Sequence, residues 1–168
     1  PEERPILTDA FGEPIRVKTV AAMEIFSAKL NALTSRAAAR DLYDFCNMIE
    51  NKTFRGSENI LRKCSIFYAT ISAKEVNKTF DTSAIDGITF AKIRAELFPV
   101  LAVREKFDLD ARKQMAKTYI ADTMKPIDSE RVYMEHFVSG EYMPELLFDD
   151  KKILERIKKH PMALWKCR

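Results

Sequence analysis

The sequence predicts a mainly α-helical domain (α+β overall) that is bundle-like and carries one short strand at its front. From residue 20 onward, apolar residues recur at three- and four-residue steps, which is typical of amphipathic helices. Residues 15–20 instead alternate apolar and polar side chains, as a half-exposed strand does. We therefore divide the chain into a strand and loop segment, residues 1–19, and a helical domain, residues 20–168.

The first segment is the least helical part of the chain. Its strand, Ile15–Val20, cannot bury a face or satisfy its backbone alone, so we expect its sheet partners to come from outside this chain. Helix-breaking residues punctuate the remainder of the segment: Pro1, Pro5, Gly12 and Pro14.

Two helices follow, and each has an apolar stripe. We expect Thr19 to cap the first and Ser35 to cap the second, because hydroxyl side chains can accept from the free N–H groups of a first turn. The second helix ends near Asn51. The predicted stripes are Val20, Met23, Phe26, Leu30 and Leu33 in the first helix, and Leu42, Phe45, Cys46 and Ile49 in the second.

The later elements are read from their start and stop signals. Gly56-Ser57 opens a third helix, and turn formers such as Asn77 predict a loop over residues 76–88. Trp165 is expected to anchor the C-terminus on the core. Further helices are predicted over residues 89–98 (stopped at Pro99), 110–124 (capped by Asp108 or Asp110), 129–140, 144–148 and 150–159, with a terminal turn at 161–165.

Composition excludes several classes of protein. No apolar run approaches the roughly 18 residues that a membrane span needs. The net charge of +3 is compatible with an anionic partner without requiring one. Three scattered cysteines and two histidines lack the spacing of a zinc site, which favours reduced thiols and a cytoplasmic location.

The segment from Glu24 to Asp44 carries the charges that most suggest chemistry. Lys29 lies on the flank of an apolar helical pattern, where it either directs its amine to water or reaches a nucleotide phosphate. Arg36, Arg40, Asp41 and Asp44 follow closely.

This charged group has two interpretations. It can be a solvated helix face, in which Arg40 and Asp44 are spaced to touch and contribute only a few tenths of a kcal/mol. Alternatively, a carboxylate kept ionised beside an arginine can accept a proton, while the cations grip a polyphosphate.

Other candidates have simpler explanations. Gly56-Ser57 and the pair Asp108 and Asp110 superficially match pieces of metal-dependent nucleotide transferases, but both lie where helices start and are read as caps. His136 is read as a core or surface histidine. A basic cluster is either a solvated face or a contact for RNA phosphate; it comprises Lys151, Lys152, Arg156, Lys158 and Lys159.

The pattern E24-x4-K29-x6-R36-x3-R40-D41-x2-D44 resembles the third motif of the AbiEii/AbiGii abortive-infection nucleotidyltransferase toxins. The preceding strand and the ending, residues 140–148 and 160–166, resemble the same family, so the likeness runs from about residue 5 to residue 168. It implies that Lys29 holds the triphosphate and that Asp41 orients or activates the acceptor, with Arg36, Arg40 and Asp44 as the surrounding charge network.

The resemblance also implies partners and cofactors. Members of the family transfer nucleotides from a nucleoside triphosphate, with Mg²⁺, to an RNA acceptor, which is the tRNA end in the better-understood members. A cognate antitoxin is implied by the type IV toxin–antitoxin system.

This chain departs from the family in one respect. It has no Gly-Ser and Asp-x-Asp constellation at suitable spacing, although in-line phosphoryl transfer needs cations. We expect residues 1–19 to be the remnant of a nucleotidyltransferase core, and the chain alone to be inactive and to hold no metal. The alternative is a non-catalytic helical interaction or RNA-binding module.

Overall fold

The computed structural model describes residues 2–6, 15–72, 76, 80–101 and 106–168. Within these residues there are nine α-helices and one two-stranded antiparallel sheet, so the predicted mainly α fold with a small β part is confirmed. Pro1, Gly12, Pro14 and Asn77, which entered the sequence analysis, lie outside the described residues.

The two strands form an antiparallel hairpin. Strand β1, Glu2–Ile6, pairs with strand β2, Ile15–Thr19, in a register that sets Arg4 opposite Val17. The expectation that the strand at residues 15–20 has no partner in the chain is therefore wrong. Sequence reasoning missed β1 because Pro5 interrupts it, and proline is tolerated in strands that leave one edge free.

Three long helices follow the hairpin. They are α1 (Ala22–Ser35), α2 (Ala39–Glu50) and α3 (Glu58–Ser72). The two predicted caps are wrong: Thr19 ends strand β2, and Ser35 is the last residue of α1. Ala21 and Ala38 occupy the cap positions with extended backbones and no capping side chain, because tertiary packing of the helices outweighs local capping.

The chain between α3 and the next long helix is irregular. A short helix, α4, lies inside the predicted loop. The predicted helix over residues 89–98 is α-helical for only one turn, α5. It then continues as a π turn, which is followed by a 3₁₀ turn that contains Pro99. The bounds are Ser83–Asp86 for α4, Phe90–Lys92 for α5, Ile93–Leu97 for the π turn and Phe98–Val100 for the 3₁₀ turn.

In the C-terminal part of the chain, two helices begin after an aspartate whose side chain caps the first turn. Asp108 caps α6 by accepting from Ala111 N–H at 3.0 Å, and Asp150 caps α8 by accepting from Ile153 N–H at 3.0 Å. The bounds are Leu109–Thr123 for α6, Asp128–Val138 for α7, Pro144–Leu146 for a 3₁₀ turn, Lys151–Ile157 for α8 and Pro161–Lys166 for α9.

Buried apolar side chains form two clusters that share helix α3. The first cluster is centred on α1, α2 and α6 and takes Leu61 from α3. The second is centred on α7 and the C-terminal turns and takes Ile66 and Phe67 from α3. The first cluster includes Leu30, Leu33, Leu42, Phe45 and Cys46; the second includes Tyr133, Phe137, Leu147, Phe148 and Ala163.

A buried ion pair links α3 to α7 at the boundary of the two clusters. Arg62 Nε donates to Glu130 Oε2 at 2.8 Å, and the Glu130 side chain is fully buried. The same carboxylate accepts from Ile127 N–H at 3.0 Å, so it also caps α7. One side chain therefore joins the two halves of the fold and fixes a helix start.

The C-terminal tryptophan does not anchor the chain. Trp165 is 66% exposed, whereas Ala163 is the residue of α9 that is buried. The prediction of a core anchor is wrong because Trp165 follows the buried Ala163 by two residues, about 200° around the helix, and so lies on the opposite face of α9. Within the described ranges, none of the helices combines the length and the apolar character that crossing a bilayer requires.

Candidate functional site

Lys29 and Asp44 meet across the hairpin of helices α1 and α2. Lys29 lies beside the buried Leu30 on α1, and Asp44 beside the buried Phe45 on α2, so both side chains reach the solvent edge of the helix interface. The ammonium group of Lys29 donates to Oδ2 of Asp44, and the two side chains are 33% and 36% exposed. The pair is therefore accessible to a ligand in solution.

Arg36 and Asp41 close the turn between the same helices. Arg36 Nε donates to Asp41 Oδ2 at 2.9 Å, and a second guanidinium nitrogen donates to Oδ1 at 3.2 Å. The Arg36 side chain is 68% exposed but that of Asp41 only 7%. The bidentate contact raises the pKa of the Arg36 guanidinium, and Asp41 also favours the first turn of α2 through the helix dipole.

Arg40 has a different partner. Its Nε donates to the backbone carbonyl of Glu96 at 3.0 Å, which ties α2 to the π turn. Arg40 and Asp44, which the sequence allows to touch, are thus engaged elsewhere, Arg40 with Glu96 and Asp44 with Lys29.

The five predicted site residues therefore lie on one helical hairpin, and four of them form two ion pairs. Lys29 is paired with Asp44, one helical turn along α2 from Asp41, and Asp41 is paired with Arg36.

Glu24, the first residue of the motif, has partners that sequence reasoning missed. Tyr68 Oη donates to Glu24 Oε2 at 2.9 Å, and a guanidinium nitrogen of Arg156 donates to Oε1 at 3.1 Å. Burial, reinforced by the bond to Glu24, raises the pKa of Tyr68, so its phenol stays protonated. These contacts join positions 44 and 132 residues apart, a separation that no local sequence pattern signals.

The other candidates serve structural roles. Asp108 is the cap of α6, as expected, and Gly56 takes a φ of +81° in the turn before α3, a conformation that favours glycine. His136 contacts the Glu141 carboxylate through Nδ1 on an exposed surface. Of the basic cluster, Arg156 binds Glu24, while Lys151, Lys152, Lys158 and Lys159 are exposed.

The described residues do not by themselves fit a magnesium ion. Mg²⁺ binds carboxylate oxygens and phosphates in a near-octahedral shell. Asp41 and Asp44 each already accept from a cation, and across the described ranges no group of three or more His, Cys, Asp or Glu side chains is placed to hold a metal.

Comparison with known proteins identifies the family. The model of the family described as nucleotidyl transferase AbiEii toxin, type IV TA system, matches residues 1–134. No curated protein and no solved structure matches the chain. The matched range contains the hairpin with both ion pairs and most of the helical domain. This chain belongs to the AbiEii family of nucleotidyltransferase toxins of type IV toxin–antitoxin systems.

Proposed function

We propose that this chain carries the triphosphate-binding side of a toxin that transfers nucleotides from a nucleoside triphosphate to an RNA acceptor. Lys29 contacts the triphosphate, Asp41 orients or activates the acceptor, and Arg36, Arg40 and Asp44 form the surrounding charge network. The observation that supports this assignment best is the partly exposed Lys29–Asp44 pair, next to the Arg36–Asp41 pair on one hairpin, in a chain of the AbiEii family.

The chemistry of the two ion pairs supports a different role for each: the first binds phosphate, and the second holds a carboxylate in place. An ammonium group is a compact charge on a flexible stem, so Lys29 can exchange the Asp44 carboxylate for a phosphate oxygen at little cost in a partly exposed setting. Asp44 positions Lys29 between turnovers. Arg36 positions Asp41, whose carboxylate it holds by two bonds.

In this proposal, the ligands of the magnesium ion and the remaining part of the site are supplied by residues outside this chain. The metal neutralises charge between the attacking and leaving oxygens when bound. We infer that a Gly-Ser and Asp-x-Asp segment supplies its ligands, and that the 168 residues alone are inactive. A reading frame that encodes such a segment upstream supports this inference, and a start codon next to Pro1 contradicts it. Nucleoside triphosphates, tRNA and the cognate antitoxin are the proposed partners, in the cytoplasm.

Transfer of radiolabelled nucleotide to total tRNA by the full-length gene product tests the proposal, with each triphosphate supplied separately. We expect Lys29→Ala to abolish incorporation and to relieve growth arrest. Lys117→Ala is the matched control, because it removes a Lys–Asp pair of similar lysine exposure, 34%, with Asp86. Full toxicity and incorporation in Lys29→Ala would remove Lys29 from the site.

A second candidate function is a non-catalytic RNA-binding module. It is favoured by the exposed Trp165, which lies close in sequence to the exposed lysines of the basic cluster, since stacking on an aromatic ring beside cations suits single-stranded RNA. Salt-dependent RNA binding that is lost in Trp165→Ala, with no nucleotide incorporation by the full-length protein, would favour this candidate.

A further inference from the structure

A pocket of about 190 Å³ lies where the end of α2, the turn before α3 and the middle of α6 meet. Its apolar lining comes from Met48, Phe54 and Tyr119, and its polar lining comes chiefly from Lys52, Arg55 and Glu58. The volume is below the roughly 300 Å³ at which drug-sized ligands are accommodated. It suits one small planar ring system rather than a larger molecule.

The pocket lies next to the Lys29–Asp44 pair along both helices. On α1, Phe26 precedes Lys29 by three residues, and its ring contacts that of Phe54 edge to face, with centroids 5.4 Å apart. On α2, Met48 follows Asp44 by four residues, a rise of about 6 Å. Met48 of the pocket lining therefore lies one helical turn from Asp44 on α2, and Phe26, which contacts Phe54 of the lining, lies about one turn from Lys29 on α1.

The polar lining presents both signs of charge. Lys52 and Arg55 are exposed, and within the described ranges neither is paired with a carboxylate. Lys52 takes a φ of +51° directly after the last turn of α2, where Thr53 N–H donates to the Met48 carbonyl at 3.1 Å, so its left-handed backbone ends the helix and turns the chain toward the pocket. Glu58 lies near Tyr119, where its negative charge adds to burial in raising the pKa of the tyrosine.

We propose that this pocket binds the base of a nucleotide, with the ring against Phe54 and Tyr119 and a phosphate against Lys52 and Arg55. Aromatic side chains stack on any base, and two free cations suit a phosphate. The carboxylate of Glu58 accepts a hydrogen bond from an exocyclic amino group, so cytosine is preferred over uracil. The inference rests on the proposed function and names the contacts that its nucleotide makes beside Lys29.

The nucleotide has two sources with this chemistry, the free triphosphate and the end of a single-stranded RNA. Titration calorimetry of the full-length protein with CTP, UTP, oligocytidine and oligouridine distinguishes them. Tight binding of CTP assigns the pocket to the triphosphate, and binding of oligocytidine alone assigns it to the acceptor. In either case we expect the cytosine ligand to bind about tenfold more tightly than its uracil counterpart.

Two variants and a control complete the experiment. Glu58→Gln is expected to remove most of the preference for cytosine, and Arg55→Ala to weaken both bases alike, while Glu155→Gln, the same chemical change on the exposed face of α8, changes neither. Equal affinity for CTP and UTP, or an unchanged preference in Glu58→Gln, would overturn the pocket assignment. If Lys29→Ala still abolishes incorporation in that case, the proposed function stands and only the base site fails.

Discussion

The ammonium group of Lys29 on helix α1 contacts the carboxylate of Asp44 on helix α2, fifteen positions later in the chain. Both side chains are about one-third exposed. Water and salt therefore screen the pair, and its contribution to folding is small compared with that of the apolar interface beneath it. A substitution of Lys29 can therefore test its chemical role without unfolding the protein.

We accordingly predict that the Lys29–Asp44 pair contributes less than about 1 kcal/mol to the free energy of unfolding. Urea denaturation of Lys29→Ala, Asp44→Ala and the double variant measures the coupling energy directly. The corresponding cycle for Lys117 and Asp86 provides a pair of similar lysine exposure. A coupling energy above about 2 kcal/mol would show that loss of activity in Lys29→Ala cannot be separated from unfolding.

Asp41 is predicted to behave differently from Asp44. Its side chain is 7% exposed, and its carboxylate accepts two hydrogen bonds from Arg36. A hydrogen bond to a charged group contributes about 1.5–3 kcal/mol to the free energy of unfolding. We expect Asp41→Ala to lower the free energy of unfolding by about 2 kcal/mol, against less than 1 for Asp44→Ala. Activity measurements on Asp41→Ala therefore require a check of the folded fraction by circular dichroism. Equal losses of stability in the two variants would contradict this account.

The buried pair between Arg62 and Glu130 is predicted to be the most sensitive polar contact in the described fold. Arg62→Ala leaves a fully buried carboxylate without its partner, which costs about 3–5 kcal/mol. Replacing both residues with apolar ones, Arg62→Met with Glu130→Leu, is expected to cost less than the single change, although the cap on Ile127 is lost. Urea midpoints of the two variants decide the matter, and a larger loss in the double variant would overturn the prediction.

The three cysteines are predicted to differ in reactivity. Burial raises the pKa of Cys46 and of Cys64 to about 11, and the thiolate is the reactive form. At pH 8 both thiols are therefore almost entirely protonated, and labelling of Cys64 by iodoacetamide should increase about tenfold per pH unit between pH 8 and 10.

Cys46 is fully buried and should label only when the fold opens, whereas the partly exposed Cys167 should label first. Mass spectrometry of the labelled peptides measures the three rates. The urea-unfolded chain serves as the control in which the rates become similar. Rapid labelling of Cys46 at pH 8 in the folded protein would contradict the burial described here.

The sequence predicted the helices well where an apolar stripe decides them. Most of the predicted stripe residues of α1 and α2 are buried or half-buried, because periodicity reports directly which face meets the core. Val20 is the exception: it lies before the start of α1 and is 53% exposed, so its assignment to the stripe is wrong. Local capping signals failed at Thr19 and Ser35, where packing against neighbouring helices decided the starts instead.

The sequence brings the five charged candidates close together along the chain, but it does not predict how they pair. All five charged residues lie on the hairpin of α1 and α2. The partners of Lys29 and Arg40 are set by how the elements pack, because Lys29 donates to Asp44 on the neighbouring helix and Arg40 donates to the Glu96 carbonyl in the π turn. The partnership of Glu24 with Tyr68 and Arg156 depends on how α1, α3 and α8 pack together, which no spacing within the motif encodes.

Helix α3 contributes Leu61 to one apolar interior and Ile66 and Phe67 to the other. Its amide protons can therefore meet solvent only after both interiors have come apart, so deuterium uptake is expected to be slowest there. The last forty residues can open in a partial fluctuation that exposes the second interior alone. Such an opening would leave the charged hairpin of α1 and α2 assembled, so heat or denaturant should loosen the C-terminal end of the toxin first.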